Sequence, residues 1–293
     1  MAILKHLLIL LSVLSLPTAA TAQGLDTAKI DQALGRSGQR TGGVYRVGFP
    51  RTDLHVLVRG VPVRPGLALG SWAAFSGTDN SSTVMGDLVL LQNEVNPVMG
   101  KLRGAGFEIT AVHNHLLDET PRVMYMHYMG HGTAAQLAGA LRAALAVTRT
   151  PLGKPAAAPA TPASPPAWVK AVEDVMGRKG HFAGGVLSFG VPRANPIKMN
   201  GMPLSPAEGV AESINFQEAG AGKVASTGDF VLVADEVNPV ISVLEEHHIA
   251  VTALHTHMLT EEPRLFFMHF WTVGGPESVA GGIKSALEKV STR

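Results

Sequence analysis

Apolar residues recur at helical spacing in two places: Ile30, Ala33 and Leu34 form one stripe, and Val169, Val172, Val175 and Met176 form another. Gly35 and Gly177 follow these stripes, where a helix ending in a left-handed residue takes glycine. After the first stripe, short apolar runs separated by Gly and Pro turns predict strands around 43–48, 53–58 and 70–76. DLVLLQ, from Asp87 to Gln92, is a compact apolar strand. Asn96-Pro97 opens a helix that turns Val98, Met99 and Leu102 inward, since proline suits a first helical turn. EITAVHNH, ending at His115, and RVMYMHY, from Arg122 to Tyr128, read as two further strands joined by a turn containing LDETP. A last helix is predicted over 133–146. Strand, helix, strand, strand, helix in that order predicts an α+β fold whose sheet and helices pack as an α/β sandwich.

The same pattern occurs twice. IDQALGRSG from Ile30 matches VEDVMGRKG from Val172, an offset of 142. Gly42-Gly43-Val44 matches Gly184-Gly185-Val186, and Pro50-Arg51 matches Pro192-Arg193, at that offset. A one-residue deletion sets Val61-Pro62 against Met202-Pro203. The offset of 142 returns at Gly86-Asp87 against Gly228-Asp229 and holds to His127 and His269. The chain is therefore an internal duplication, with two homologous strand-rich halves predicted at 23–149 and 168–293. Between them, 150–167 is rich in proline and alanine and is expected to be an exposed, mobile linker.

Composition narrows the class. At 46% hydrophobic and 16% charged the 293 residues can bury a core, and a net charge of +1 offers no footprint for nucleic acid. Residues 1–22 read as a signal peptide: Lys5 precedes an apolar run from Leu7 to Leu16, and Ala20-Thr21-Ala22 supplies small residues for cleavage near Ala22. That run is shorter than a bilayer requires, and no later one spans it, so an exported, periplasmic or secreted protein without a transmembrane segment in its mature chain is expected. With no cysteine, soft metal ligands are limited to histidine and methionine.

Candidate chemistry concentrates in TAVHNHLLDETPRVMYMH, Thr110–His127, and its copy TALHTHMLTEEPRLFFMH, Thr252–His269. Side chains alternate along a strand, so His113 and His115 share a face. If residue 113 stands opposite 125 on the next strand, His127 lies diagonal to His113 on that face. Glu119 in the turn could fold back over the edge. His113, His115, Glu119 and His127 thus form a predicted metal site, and His255, His257, Glu261 and His269 form a second. All eight are retained between the halves, while Asn114 has drifted to Thr256 and Asp118 to Thr260. His55, His131, His181, His247 and His248 have no histidine counterpart and fall outside the set.

Histidine and carboxylate without thiolate suit zinc first, with copper, iron, manganese and nickel as alternatives. Met124, Met126, Met129, Met258 and Met268 nearby bring copper into view, although Met126 and Met268 have the opposite parity and should face away. Arg122 and Arg264 are candidate contacts for a small anionic or cell-wall ligand, or partners of the neighbouring glutamates. Glu94 and Glu236, each in an EVNP segment, are expected to cap the following helix rather than act as bases.

His-x-His-x-x-x-Glu resembles the first metal motif of cupins, but His127 follows Glu119 after only eight residues, whereas in cupins the last histidine comes from a more distant strand. The EVNP segment, HNHLLDETPR and the Met-His pair after it are similar to the exported bacterial family named after the mycobacterial lipoproteins LppY and LpqO. The resemblance spans nearly the whole mature chain. It implies a domain of unknown function and, without a cysteine to lipidate, a soluble periplasmic form. Three readings follow: a metalloenzyme such as a metal-dependent hydrolase, a periplasmic metal carrier or ligand-binding module, or histidines that merely pack between the halves.

Overall fold

The computed structural model describes residues 24–153 and 164–293; the predicted signal peptide and the centre of the predicted linker lie outside the described residues. The first half runs α1 (Thr27–Leu34), β1 (Gln39–Thr41), β2 (Val44–Pro50), β3 (Leu57–Val58), β4 (Val61–Pro62), α2 (Pro65–Ala68), β5 (Gly70–Gly77) and β6 (Ser82–Leu91). It continues through α3 (Val95–Gly104), β7 (Glu108–His113), β8 (Glu119–Thr120), β9 (Val123–Gly132) and α4 (Ala134–Leu145).

The second half repeats this as α5 (Ala167–Met176), β10 (His181–Ala183), β11 (Val186–Pro192), β12 (Lys198–Met199), β13 (Met202–Pro203) and a 3-10 turn at Pro206–Glu208. There follow β14 (Ala211–Gly220), β15 (Lys223–Leu232), α6 (Ala234–Glu246), β16 (Ala250–His255), β17 (Glu261–Glu262), β18 (Phe266–Gly274) and α7 (Pro276–Leu287).

Each half is a six-stranded sheet, ordered β1-β2-β5-β6-β9-β7 or β10-β11-β14-β15-β18-β16, with every neighbouring pair antiparallel. Gly35 and Gly177 close α1 and α5 in the left-handed conformation the sequence pattern predicts. Helices cover one face of each sheet. Even-numbered residues of β6 and β9 (Leu88, Leu90, Met126, Tyr128) join Ile30, Leu34, Val98, Leu102 and Leu141 in that core. The predicted segment around 53–58 is strand only at Leu57–Val58, in a small sheet β4-β3-β8 that is repeated as β13-β12-β17.

The other faces of the large sheets meet each other. One apolar cluster joins Val58, Leu67, Val89 and Tyr125 to Val186, Ala225 and Trp271, and another joins Met85 and Met129 to Met199, Met258 and Phe267. Both therefore cross from one half to the other. Cross-half hydrogen bonds reinforce them: Asn114 Nδ2 donates to the Thr252 carbonyl at 2.9 Å, Thr252 Oγ1 to the His115 carbonyl at 2.7 Å, and Ser76 Oγ to Glu208 at 2.9 Å.

The predicted linker is packed at its start. Thr150 is buried, Leu152 lies against the first-half core, and Pro151 accepts a bond from Arg36, because the chain leaving α4 still crosses apolar surface. No helix among the described residues is long and apolar enough to cross a membrane.

Candidate metal centre

Strand parity and register assemble the site. His113 on β7 stands opposite Tyr125 on β9, as the spacing predicts, and Asp87 on β6 stands opposite His127. The second half repeats this with Asp229 opposite His269. Met126 and Met268 sit in the helix-side cores, so the odd-numbered face of β9 is left to Tyr125, His127 and Met129.

The six predicted histidines do not form two separate sites. They interleave across the boundary between the halves. His113 stacks on His255 with ring centres 3.5 Å apart, His115 on His269 at 3.8 Å, and His127 on His257 at 3.6 Å. Adding 142 to 115 and 127 gives 257 and 269, so the last two contacts are one contact seen from either half. A pseudo-twofold axis therefore passes between His113 and His255, and the interface is isologous.

The imidazole nitrogens are sorted by their hydrogen bonds. Nδ1 of His113 meets the Asn114 carbonyl at 2.9 Å, Nδ1 of His255 meets that of Thr256 at 3.2 Å, and Nδ1 of His269 meets Asp229 Oδ1 at 3.0 Å. His127 is likewise bonded to the Gly86 carbonyl. A carbonyl can only accept, so the proton sits on the bonded nitrogen and the lone pair of Nε2 is left facing inward. The Nε2 atoms of His113 and His127 are 3.0 Å apart, and those of His255 and His269 are 2.7 Å apart. Two nitrogens on one tetrahedral ion, bonded at about 2.0–2.1 Å, stand ~3.3 Å apart, near the first separation and longer than the second.

Nε2 of His115, Nε2 of His257 and Oδ1 of Asp87 are buried without a hydrogen-bond partner among the described residues. Leaving such atoms without a partner is costly, and each of the three belongs to a different group of donor atoms close enough to share a cation. Three donor groups can hold a metal ion: His113, His255, His257 and His269; Asp87, His113 and His127; and His115, Asp229 and His269.

The electrostatics fit neutral imidazole. Burial holds His127 down at about 3 and His255 at about 4, with neighbouring imidazoles adding to the shift. Burial likewise pushes His113, His115 and His257 well below the ordinary range. Burial and the nearby Asp229 carboxylate raise Asp87. Burial works against ionisation of Asp229 too, but His269 beside it outweighs this and keeps the carboxyl below its usual range.

Of the predicted ligands, Glu119 and Glu261 belong to none of these groups. Glu119 belongs to β8, paired with β3, where its nearest cation is Arg122 at 3.9 Å. Glu261 belongs to β17, paired with β12, and accepts from Arg264 at 3.2 Å and from the Leu265 N–H at 2.9 Å. Each carboxylate is thus anchored on a small sheet with Arg122 or Arg264 beside it, and both Glu119 oxygens are buried without a hydrogen-bond partner among the described residues. Glu94 and Glu236 are also remote: each makes an ion pair with a buried arginine, Arg51 or Arg193, and accepts the N–H of Leu91 or Val233. His55, His131, His181, His247 and His248 are exposed.

Sequence reasoning passed over Asp87 and Asp229, although Gly86-Asp87 and Gly228-Asp229 are retained in both halves. The glycine is part of the signal. A Cβ at Gly86 would stand 2.2 Å from the Trp72 carbonyl, and one at Gly228 would stand 1.9 Å from that of Ser213. Only glycine lets the neighbouring strand come this close beside the aspartate. A cleft of about 450 Å³ opens between the halves onto Asp87, His115, His127, Asp229 and His257.

No curated protein matches this chain. Among solved structures, EtuB from Clostridium kluyveri is 9% identical over 85% of this chain and 90% of its own, with a TM-score of 0.20. Crystal form I of TP0453 is 10% identical over 87% and 96%, with a TM-score of 0.18. At TM-scores this low neither similarity bears on fold or function. A family model described as Domain of Unknown Function (DUF1259) fits residues 28–147 and again 170–289, and the chain belongs to that family.

Proposed function

We propose that this is an exported metal-binding protein whose ions are held between its two halves, zinc foremost, by His113, His115, His127, His255, His257 and His269 with Asp87 and Asp229. One observation carries the reading: six imidazoles meet at the pseudo-twofold axis, with their inner nitrogens turned toward one another or left without partners. Imidazole with carboxylate and no thiolate favours zinc among divalent ions. Export rests on the sequence of residues 1–22 and on the resemblance to the LppY/LpqO-like exported proteins.

The cleft over the centre favours a metalloenzyme over a carrier, because a carrier has no need of a roomy approach to its ion. There a bound ion would supply Lewis-acid or water-activating chemistry of the kind a metal-dependent hydrolase uses. Copper is the second reading for the metal, since Met85, Met129 and Met258 line a small cavity with His127 and His257, and thioether suits Cu(I).

Elemental analysis of the purified mature protein tests the proposal. At least one transition-metal ion per chain is expected, and the His113→Ala/His255→Ala variant should lose it. Equal metal content in the two proteins would sink the reading. The same analysis distinguishes copper from zinc, and purification under reducing conditions keeps any copper as Cu(I).

A further inference from the structure

The duplication makes departures from symmetry informative. On the cleft face, one row of residues crosses the first sheet as Gly48, Trp72, Asp87 and His127, each opposite the next on a neighbouring strand. The matching row of the second sheet reads Gly190, Ser213, Asp229 and His269. Three of the four positions are kept; the tryptophan beside the first aspartate is a serine beside the second. Two residues before Gly48 on β2 and on the same face, Arg46 corresponds to Ser188 on β11, and both line the cleft. Arg46 lies over the Trp72 ring, its guanidinium carbon 3.8 Å from the ring centre. One wall of the cleft is therefore cationic and aromatic, while the other carries small hydroxyls.

We propose that Arg46, held flat on Trp72, is an anion-binding subsite that orients a small carboxylate- or phosphate-bearing ligand against the metal centre. Arg46 Nη1 donates to the Ala207 carbonyl at 2.8 Å, which fixes the plane of the guanidinium. A guanidinium has five N–H donors, and among the described residues no other acceptor engages this one. Its remaining edge suits the two oxygens of a carboxylate or phosphate, the pairing for which a planar fork is built. Gly48 leaves the floor beside Trp72 open, with no atom within 4 Å of where a Cβ would stand. Gly209, at a φ of 86°, gives the Trp72 ring its room: a Cβ there would come within 3.0 Å of it. Because only the first half carries the pair, the cleft binds a ligand in one direction although its centre is nearly symmetric.

The inference rests on the metal reading for the chemistry at the cleft floor, and the test separates the two. Wild type, Arg46→Gln and Trp72→Ser are titrated calorimetrically with inorganic phosphate and, separately, with acetate. Metal content is measured on the same preparations and also reports an intact interface, since the centre draws on both halves. Wild type is expected to bind at least one of the anions, and Arg46→Gln to weaken it about tenfold or more at unchanged metal content. Whether phosphate or acetate responds tells which ligand class the subsite takes. Trp72→Ser, which installs the residue of the second half, should weaken the same anion even if Arg46→Gln fails to fold. Wild-type affinity in both variants, or no binding of either anion by wild type, would overturn the subsite and leave the metal reading untouched. Arg46-dependent binding by a protein without metal would instead remove the metal reading and keep the subsite.

Discussion

Asp229 lies across the strand pair from His269, with Oδ1 at 3.0 Å from Nδ1, a contact that orients the ring and makes its inner nitrogen a better donor. Asp87 holds the equivalent place, but its Oδ1 is 3.8 Å from His127 Nε2 and has no hydrogen-bond partner. In the proposed centre, one aspartate would thus stand behind a ligand, while the other would offer an oxygen to the ion itself. Asp229→Asn keeps an acceptor and removes the charge, and should weaken metal affinity about tenfold, up to a hundredfold. Asp87→Ala removes a donor outright and should weaken it at least as much. Competition against a chelating dye measures both, and unchanged affinity in the two variants would show the carboxylates to be bystanders. The histidines were legible in sequence because alternation along a strand fixes their face. The aspartates were not, because Gly-Asp reads as an alignment anchor until the strand beside the glycine is seen.

Elements decide where Glu119 and Glu261 stand. Both were read as turn residues free to fold back over the sheet edge; instead each turn contains a two-residue strand that pairs with the hairpin of a small sheet. Such short strands have too few residues to show alternation, so no sequence pattern announces them. The EVNP glutamates behave similarly. Arg51 is fully buried and meets Glu94 at 2.7 Å, tying β2 to the start of α3, and Arg193 meets Glu236 at 2.8 Å in the second half. Removing one member of a buried pair strands the other charge, which costs about 3–5 kcal/mol. Asp53 still contacts Arg51 at 2.9 Å, so Glu94→Ala should fall at the lower end of that range. Urea unfolding of Glu94→Ala measures the loss, and a change below about 1 kcal/mol, the size of a surface pair, would contradict this account. Metal stoichiometry in the folded variant should be unaltered, because this pair stands apart from the donor groups.

At the scale of the whole molecule, the duplication was plain in the sequence but its consequence was not. A repeated motif reads identically whether each copy closes on itself or exchanges partners across a twofold axis; cross-half contacts such as His115 with His269 and His127 with His257 distinguish them. Placing the histidines in that contact makes docking of the halves sensitive to acid. In the folded chain His127 sits at about 3 and His255 at about 4, against 6.5 when unfolded, and His115 and His257 are also well below it. Between those limits the unfolded chain binds more protons than the folded one, so stability rises with pH through the window and falls as the solution is acidified. Burial raises Asp87 and Glu212, which opposes the trend, but the histidines outnumber them. Urea midpoints of the chelator-treated protein should therefore decline steadily from about pH 6.5 to pH 4. His115→Gln/His257→Gln, which removes one ring from each of the paired stacks, should flatten the decline. A midpoint independent of pH in that window, or a slope unaltered in the double variant, would mean that the buried imidazoles do not govern how the halves hold together.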